Sequence, residues 1–362
     1  MHLLFELIQV TLGNRCCLSS IPSKEEWWGI FKEAERQAIV GVLQKGLERL
    51  PEEQMPPKPL LLQWIGVAQV TQTRNLQLDR QTAIVWKFLQ KNGLAAVVLK
   101  GQGVACEYGD LASLRQSGDI DIWVKGGYKV VCDFVQRTYP TDDLAYHRFH
   151  YPVFEDTEVE LHHRPTLMRD LIDDKKLAKW YNSFDENSFI YLNDKGFAVP
   201  SAEFNRVFLL THIYRHFLFE GVGLRQVMDL YFVLNNSNGN DREVELLKEF
   251  RLLRFAQAMM WLLHQQLGLN EDKLMSCGMD ENEGRFLLSE ILQTGNFGHS
   301  DIRYKFKRLF KLRHHIAHGS HLLVHYPSEV LWTPIWLVYH RIWKRNKKRA
   351  LKDNDLRINK SQ

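Results

Sequence analysis

Asp119 and Asp121 stand two residues apart in the stretch GDIDIWV, alternating with Ile120, Ile122 and Val124. A period of two is that of a short strand, which turns both carboxylates to one face and the aliphatic side chains to the other. Two acids so placed suit a hard divalent cation such as Mg²⁺ or Mn²⁺, which takes oxygen ligands and keeps several of its waters. A third carboxylate at similar height must come from an adjacent strand. TEVELHHR alternates in the same way and puts Glu158, Glu160 and His162 on one side; Glu160 is the preferred third ligand and Glu158 the fallback. The chemistry that three such acids support is displacement at phosphorus. The ions offset charge on the non-bridging and leaving oxygens of a triphosphate while an attacking oxygen is held in line. An Asp-x-Asp pair alone is a weak signal, because a solvated edge strand shows the same pattern.

The elements around these acids add context. Upstream, LAAVVLKG reads as a strand ending in glycine, followed by a helix from Gln102 to Tyr108. In that turn the backbone of Gly101, Gln102 and Gly103 can approach a phosphate at a helix N-terminus, with Lys100 as a point charge, although neither GxxxxGK[ST] nor GxGxxG is present. Arg115, four residues before Asp119, is read two ways: paired with a carboxylate, or in contact with phosphate. His162 is read as a hydrogen-bonded histidine beside the acids in preference to a ligand. HRFHYPVFED and TEVELHHR form the two strands of a hairpin turned at residues 155–157, and 127–138 is a helix. His212 and His216 have a spacing that zinc can use, but no glutamate lies between them as in HExxH, so a cleft-facing role with Arg225, Gln226 and Asp229 is favoured. The plain alternative for Arg225 and Asp229 is an i,i+4 ion pair.

Taken in order, LKG, then R-x-x-GDIDIWV from Arg115, then VELHHR from Val159 resemble the uncharacterised nucleotidyltransferase family of the DNA polymerase β superfamily. Leu209 to Leu230 (LLTHIYRHFLFEGVGLRQVMDL) and GNFG at 295–298 extend the likeness, which covers roughly residues 60–300. The resemblance implies a small mixed sheet with helices, followed by a helical domain that closes over a nucleotide, and it puts Asp119, Asp121 and Glu160 in the family's metal positions. Where the wider superfamily has Gly-Gly-Ser or Gly-Ser after its first strand, this chain has Lys100-Gly101-Gln102. No serine hydroxyl is available there, so backbone amides of Gly101 to Gly103, with Lys100, have to meet the phosphate.

The expected architecture is therefore α+β. A helical region over 1–90 is broken at PEEQMPPKP, a nucleotidyltransferase core spans 91–200, a helical domain 201–300, and a helical extension with a basic tail 301–362. The charge of +4 is uneven, because residues 341–362 hold nine Lys or Arg against Asp353 and Asp355. A basic end on a near-neutral body argues against a chain-wide nucleic-acid surface and leaves local binding of RNA or acidic lipid open. Trp332, Trp336, Tyr339 and Trp343 recur at four, three and four beside that end. Such an aromatic stripe is core, a partner groove, or a peripheral membrane contact. RHHIAHGSH at 313–321 is read as surface histidines. Five cysteines without CxxC spacing read as reduced thiols, and with no apolar run of spanning length the expected address is cytoplasmic.

The reaction expected is Mg²⁺-dependent transfer of NMP from an NTP such as ATP to a hydroxyl or phosphate acceptor on a small molecule, saccharide, protein or RNA. One rival is a noncatalytic nucleotide-binding or scaffold protein on the same fold. The other is a metal-dependent glycosyltransferase, which needs a longer parallel α/β domain before the Asp-x-Asp motif than the helical N-terminal region supplies.

Overall fold

The computed structural model describes residues 2–296 and 321–358, with side chains up to residue 351. In chain order its helices and strands are α1 (His2–Leu12), α2 (Lys24–Arg36), α3 (Val40–Leu47), α4 (Lys58–Lys91), β1 (Ala96–Leu99), α5 (Lys100–Ala105), β2 (Ile120–Val124) and α6 (Gly127–Thr138). They continue with β3 (Arg148–His150), β4 (Val159–His162), α7 (Leu171–Asn182), β5 (Phe189–Leu192) and β6 (Phe197–Pro200). The remainder is helical: α8 (Ala202–Phe219), α9 (Leu224–Asn235), α10 (Asp241–Glu249), α11 (Leu253–Leu267), α12 (Glu281–Thr294) and α13 (Pro327–Ile358). The fold is α+β, as expected.

Two compact units divide the chain, and the division cuts across its linear order. Among the described residues, one gathers 2–81, 100–117 and 200–296; the other gathers 82–99, 118–199 and 321–358.

The first unit is helical. Trp27, Phe31 and Trp64 form an edge-to-face aromatic cluster joining α2 to α4, and α2 starts on a capping box between Ser23 and Glu26. Close approach requires glycine at one point in particular: a Cβ on Gly41 of α3 would lie 2.4 Å from the backbone oxygen of Leu114. The segment expected to be helical from Gln102 to Tyr108 is α-helical only to Ala105 and continues as a 3₁₀ run, Cys106–Leu114. Gly109, at φ 55°, interrupts the helical backbone there.

The second unit carries the mixed sheet, in the order β1-β2-β4-β3. β1 is antiparallel to β2, β2 is parallel to β4, and β3 is antiparallel to β4, which makes β3 and β4 the hairpin read from the sequence. The register sets the faces. Val98, Ile122, Leu161 and Phe149 fall in one row, and Tyr128 of α6 packs on Phe149 with ring centroids 5.3 Å apart. The opposite face carries two rows: Leu99, Asp121, Glu160 and His150, then Val97, Trp123, His162 and Arg148. Trp123 on that face meets Tyr181 of α7 and Phe189 of β5, and Asp170 caps α7 by accepting from the amide of Ile172 at 2.9 Å. Both faces of β2 are therefore buried.

Helix α13 belongs to this unit and docks by its aromatic side. Tyr146 touches Trp336, Tyr339 and Trp343, and Arg169 lies over the Trp336 ring at 5.2 Å. Polar contacts fix its start: Glu329 accepts from the amides of Arg169 and Asp170 at 2.9 and 3.2 Å, and Ser328 bonds Asp170. The histidine-rich stretch 313–320 and the end of GNFG lie outside the described residues. All five cysteines are free thiols, and no described helix is long and apolar enough to cross a membrane.

Candidate active site

Asp121 of β2 and Glu160 of β4 are partners in the parallel ladder, so two neighbouring strands deliver one carboxylate each at the same height. His162, two residues further on the same face of β4, turns its Nε2 between them, 2.8 Å from Asp121 Oδ1 and 3.2 Å from Glu160 Oε2. All three side chains are buried. A ring nitrogen that faces two carboxylates must carry its hydrogen, because carboxylates only accept. Arg148, across the hairpin from His162, brings a positive charge to the group, with its Nη1 2.9 Å from Glu160 Oε1. One ligand atom from each of Asp121, Glu160 and His162 lies within 4.8 Å of the others, and among the described residues no other such group of three exists.

Asp119 is not in this group. β2 begins at Ile120, so Asp119 sits half-buried just before the strand, and the alternation in the sequence overstates how far the strand reaches. Glu158, the fallback, precedes β4 and stays largely in solvent, with its carboxylate 3.9 Å from His150. Arg148 was not singled out from the sequence. The signal was there, because the hairpin places Arg148 and His150 on the face of Glu160 and His162.

The remaining expected site residues lie in the helical unit. Lys100 has φ 44° and Gly101 φ 27°, so the turn after β1 bends through left-handed backbone that a lysine rarely adopts. Gln102 and Gly103 are buried, and the Gln102 amide is bonded to Asp79 of α4. Arg115 does pair with a carboxylate. Its Nε and Nη2 grip Asp229 of α9 at 2.6 and 2.7 Å, its Nη1 donates to Ser117 Oγ at 2.8 Å, and Tyr108 donates to Asp229 Oδ1 at 2.7 Å. Burial opposes the Arg115 charge, but the Asp229 carboxylate outweighs it and holds the guanidinium above its ordinary range; burial and the same carboxylate push the Tyr108 phenol up. The i,i+4 pair between Arg225 and Asp229 therefore does not form. Arg225 donates to the Gln116 carbonyl at 2.7 Å instead. His212 and His216 are edge to face at 4.3 Å, and His216 Nδ1 is 2.7 Å from Glu220, a glutamate that the zinc spacing did not anticipate. Burial lowers the pKa of His216, while Glu220, despite its own burial, is held below the usual carboxylate range by His216, Arg215 and Lys100.

Beyond the ends of β2 and β4 the second unit encloses a cavity of about 250 Å³ among Trp123, Tyr128, His163, Arg164, Trp343 and Lys347. His163 is neutral there, its pKa brought down to about 3 by burial with Arg164, His162 and Lys347 adding to the effect. The Lys347 ammonium sits 3.9 Å from the centre of the Tyr128 ring.

The chain is matched over residues 23–268 by the family model described as uncharacterised nucleotidyltransferase. It is also similar to a solved structure, an antigenic nucleotidyltransferase-like protein from Paracoccidioides brasiliensis, at 13% identity and a TM-score of 0.34, over 53% of this chain and 93% of that one. No functionally curated protein matches it. The family match spans more than half of the sequence and takes in both the Asp121 strand and the Glu160 strand, and the chain belongs to the uncharacterised nucleotidyltransferase family.

Proposed function

We infer that the protein is a divalent-metal-dependent nucleotidyltransferase that moves NMP from an NTP to an acceptor hydroxyl or phosphate and releases pyrophosphate. The observation that carries this reading is the convergence of the Asp121 and Glu160 carboxylates from adjacent strands, with His162 between them. The donor set fits the ion: two carboxylate oxygens suit Mg²⁺ or Mn²⁺, whereas His162 is needed only to orient them. When bound, the ion supplies charge neutralisation on the triphosphate. The chain's own residues do the rest. Asp121 and Glu160 hold the ion with Asp119 alongside, Arg148 sets the Glu160 carboxylate, and His162 keeps both acids turned to one point. The order of the motifs, rather than any distance, assigns phosphate contact to Lys100 and the amides of Gly101 to Gly103, with Arg225.

The noncatalytic alternative draws on a different aspect of the same group. Arg148 and His162 already engage the two acids, as they would in a nucleotide-binding or scaffold protein that kept the fold for its packing. One experiment separates the two readings. The protein is incubated with each labelled NTP and Mg²⁺ or Mn²⁺, and pyrophosphate release is followed beside Asp121→Asn and Glu160→Gln. The enzyme reading expects metal-dependent release that both substitutions abolish. Nucleotide binding without release, unchanged by either substitution, overturns it in favour of the scaffold.

A further inference from the structure

Helix α13 carries a second apolar stripe. Leu331, Ile335, Val338 and Ile342 are spaced four, three and four, each one position before a member of the aromatic series. Their exposures are 63%, 54%, 58% and 55%, so the helix face that α13 does not use against its own unit presents four large aliphatic side chains to the outside. Single exposed aliphatics are ordinary; four in helical register are a surface. The same 3.6-residue row continues three and seven residues further as Arg345 and Arg349, both exposed, with Arg341 exposed beside it. The described side chains of α13 include one acid, Glu329, and that acid is buried against the amides of Arg169 and Asp170. Among the described side chains, the outward face therefore has an apolar half, a basic half and no acid.

We propose that this face of α13 is a peripheral docking surface for an anionic lipid bilayer. The aliphatic stripe enters the boundary between headgroups and acyl chains, while Arg341, Arg345 and Arg349 meet lipid phosphates and carboxylates. The long Arg side chains reach from the level of the stripe to the headgroups. Charge chooses this occupant over a second copy of the chain. Two copies joined through the stripe would bring basic ends together, or lay one basic end on the other's aliphatic row, and the described side chains of the face include no acid to compensate in either arrangement. Trp336 and Trp343 take no part, because they are committed to Tyr146 and Tyr128.

The test uses the full chain and vesicles of phosphatidylcholine with or without phosphatidylserine, read by co-sedimentation and by light scattering of the protein alone. Binding to the mixed vesicles that falls steeply with added salt is expected, with little binding to phosphatidylcholine alone. Ile335→Asp with Val338→Asp should weaken partitioning by about tenfold or more, since the stripe loses apolar area that the bilayer would cover. Arg341→Glu with Arg345→Glu should weaken it by a similar factor through the surface potential. All four positions are exposed, so the far-ultraviolet circular dichroism of both variants should match the parent. The proposal is overturned by equal sedimentation with both vesicle types, by parent-like binding of either variant, or by a stable dimer that the Ile335→Asp and Val338→Asp changes dissolve.

Discussion

Removing the carboxylate of Asp229 tests the electrostatics of the helical unit most directly. Asp229 accepts three hydrogen bonds, two from Arg115 at 2.6 and 2.7 Å and one from Tyr108 at 2.7 Å, and the Arg115 and Asp229 side chains are 4% and 5% exposed. Asp229→Asn keeps the shape and leaves an oxygen for one donor, but strands a buried guanidinium without a counter-charge. Breaking a buried pair from one side costs about 3–5 kcal/mol. The asparagine belongs at the lower end of that range and alanine, which also strips Tyr108 of its acceptor, at the upper end. Replacing both partners, as in Arg115→Met with Asp229→Leu, removes the stranded charge, so the double variant should recover at least about 2 kcal/mol relative to the sum of the singles. Urea unfolding followed by tryptophan fluorescence and by far-ultraviolet circular dichroism reads the parent and each variant. A cost below about 0.5 kcal/mol for Asp229→Asn, in the range of an exposed ion pair, would refute the argument. So would Arg115→Met leaving stability intact while abolishing nucleotide binding, because Arg115 would then serve phosphate rather than the fold.

Arg148→Met removes a cation that competes for Glu160 and should raise Mn²⁺ affinity by at least about tenfold, the order expected for one unit charge at short range in an effective dielectric of about 20; a titration read by electron paramagnetic resonance that shows weaker binding would count against an ion site at Asp121 and Glu160. Burial lifts the Glu329 carboxyl to about 7, so its folded pKa lies above its unfolded one. Its stabilising share is complete below about pH 4.5 and is lost as pH rises through about 7, at up to about 1.4 kcal/mol per pH unit. Glu329→Gln should flatten the pH dependence of α13 docking, measured as its susceptibility to limited proteolysis, and an unchanged slope would disprove the assignment. In Gly41→Ala the new methyl meets the Leu114 carbonyl, and a loss of about 1–3 kcal/mol in urea unfolding is expected; parent stability would mean that the 2.4 Å approach relaxes freely.

The strands of the acidic site were legible because their signal is local. Alternation marks a strand and its faces without reference to the rest of the chain, and it put Asp121 on β2 and Glu160 with His162 on one face of β4. What alternation does not carry is where pairing stops. β2 takes its ladder partners from Ile120 onward, and Asp119, identical in type and parity to Asp121, falls outside it. Partner choice among long-range charges was equally hidden. Asp229 has Arg225 one helical turn away, yet it takes Arg115, 114 residues earlier in the chain, because that guanidinium arrives buried and can bind two oxygens at once, whereas Arg225 finds the Gln116 carbonyl. Local spacing offers Asp229 only Arg225, and pairing with a carboxylate, one of the two readings of Arg115, gives no hint of which carboxylate it is.

Helix α13 shows the same limit in its purest form. Its aromatic and aliphatic rows share one spacing and differ by a single position, about 100° around the helix axis, so periodicity describes one broad apolar arc and offers no basis for deciding which half turns inward. The decision is made by partners. Tyr146 and Tyr128 offer ring edges to Trp336 and Trp343, Arg169 offers a cation to the Trp336 face, and the Glu329 carboxylate bonds two backbone amides one turn before the stripe. Each contact gains from aromatic or charged chemistry that Leu331, Ile335, Val338 and Ile342 lack. The aromatic half is thereby drawn inward, and the aliphatic half is left outside in register with Arg345 and Arg349. Exposing four aliphatic side chains follows from satisfying the rings, and a surface produced in that way invites an apolar partner rather than water.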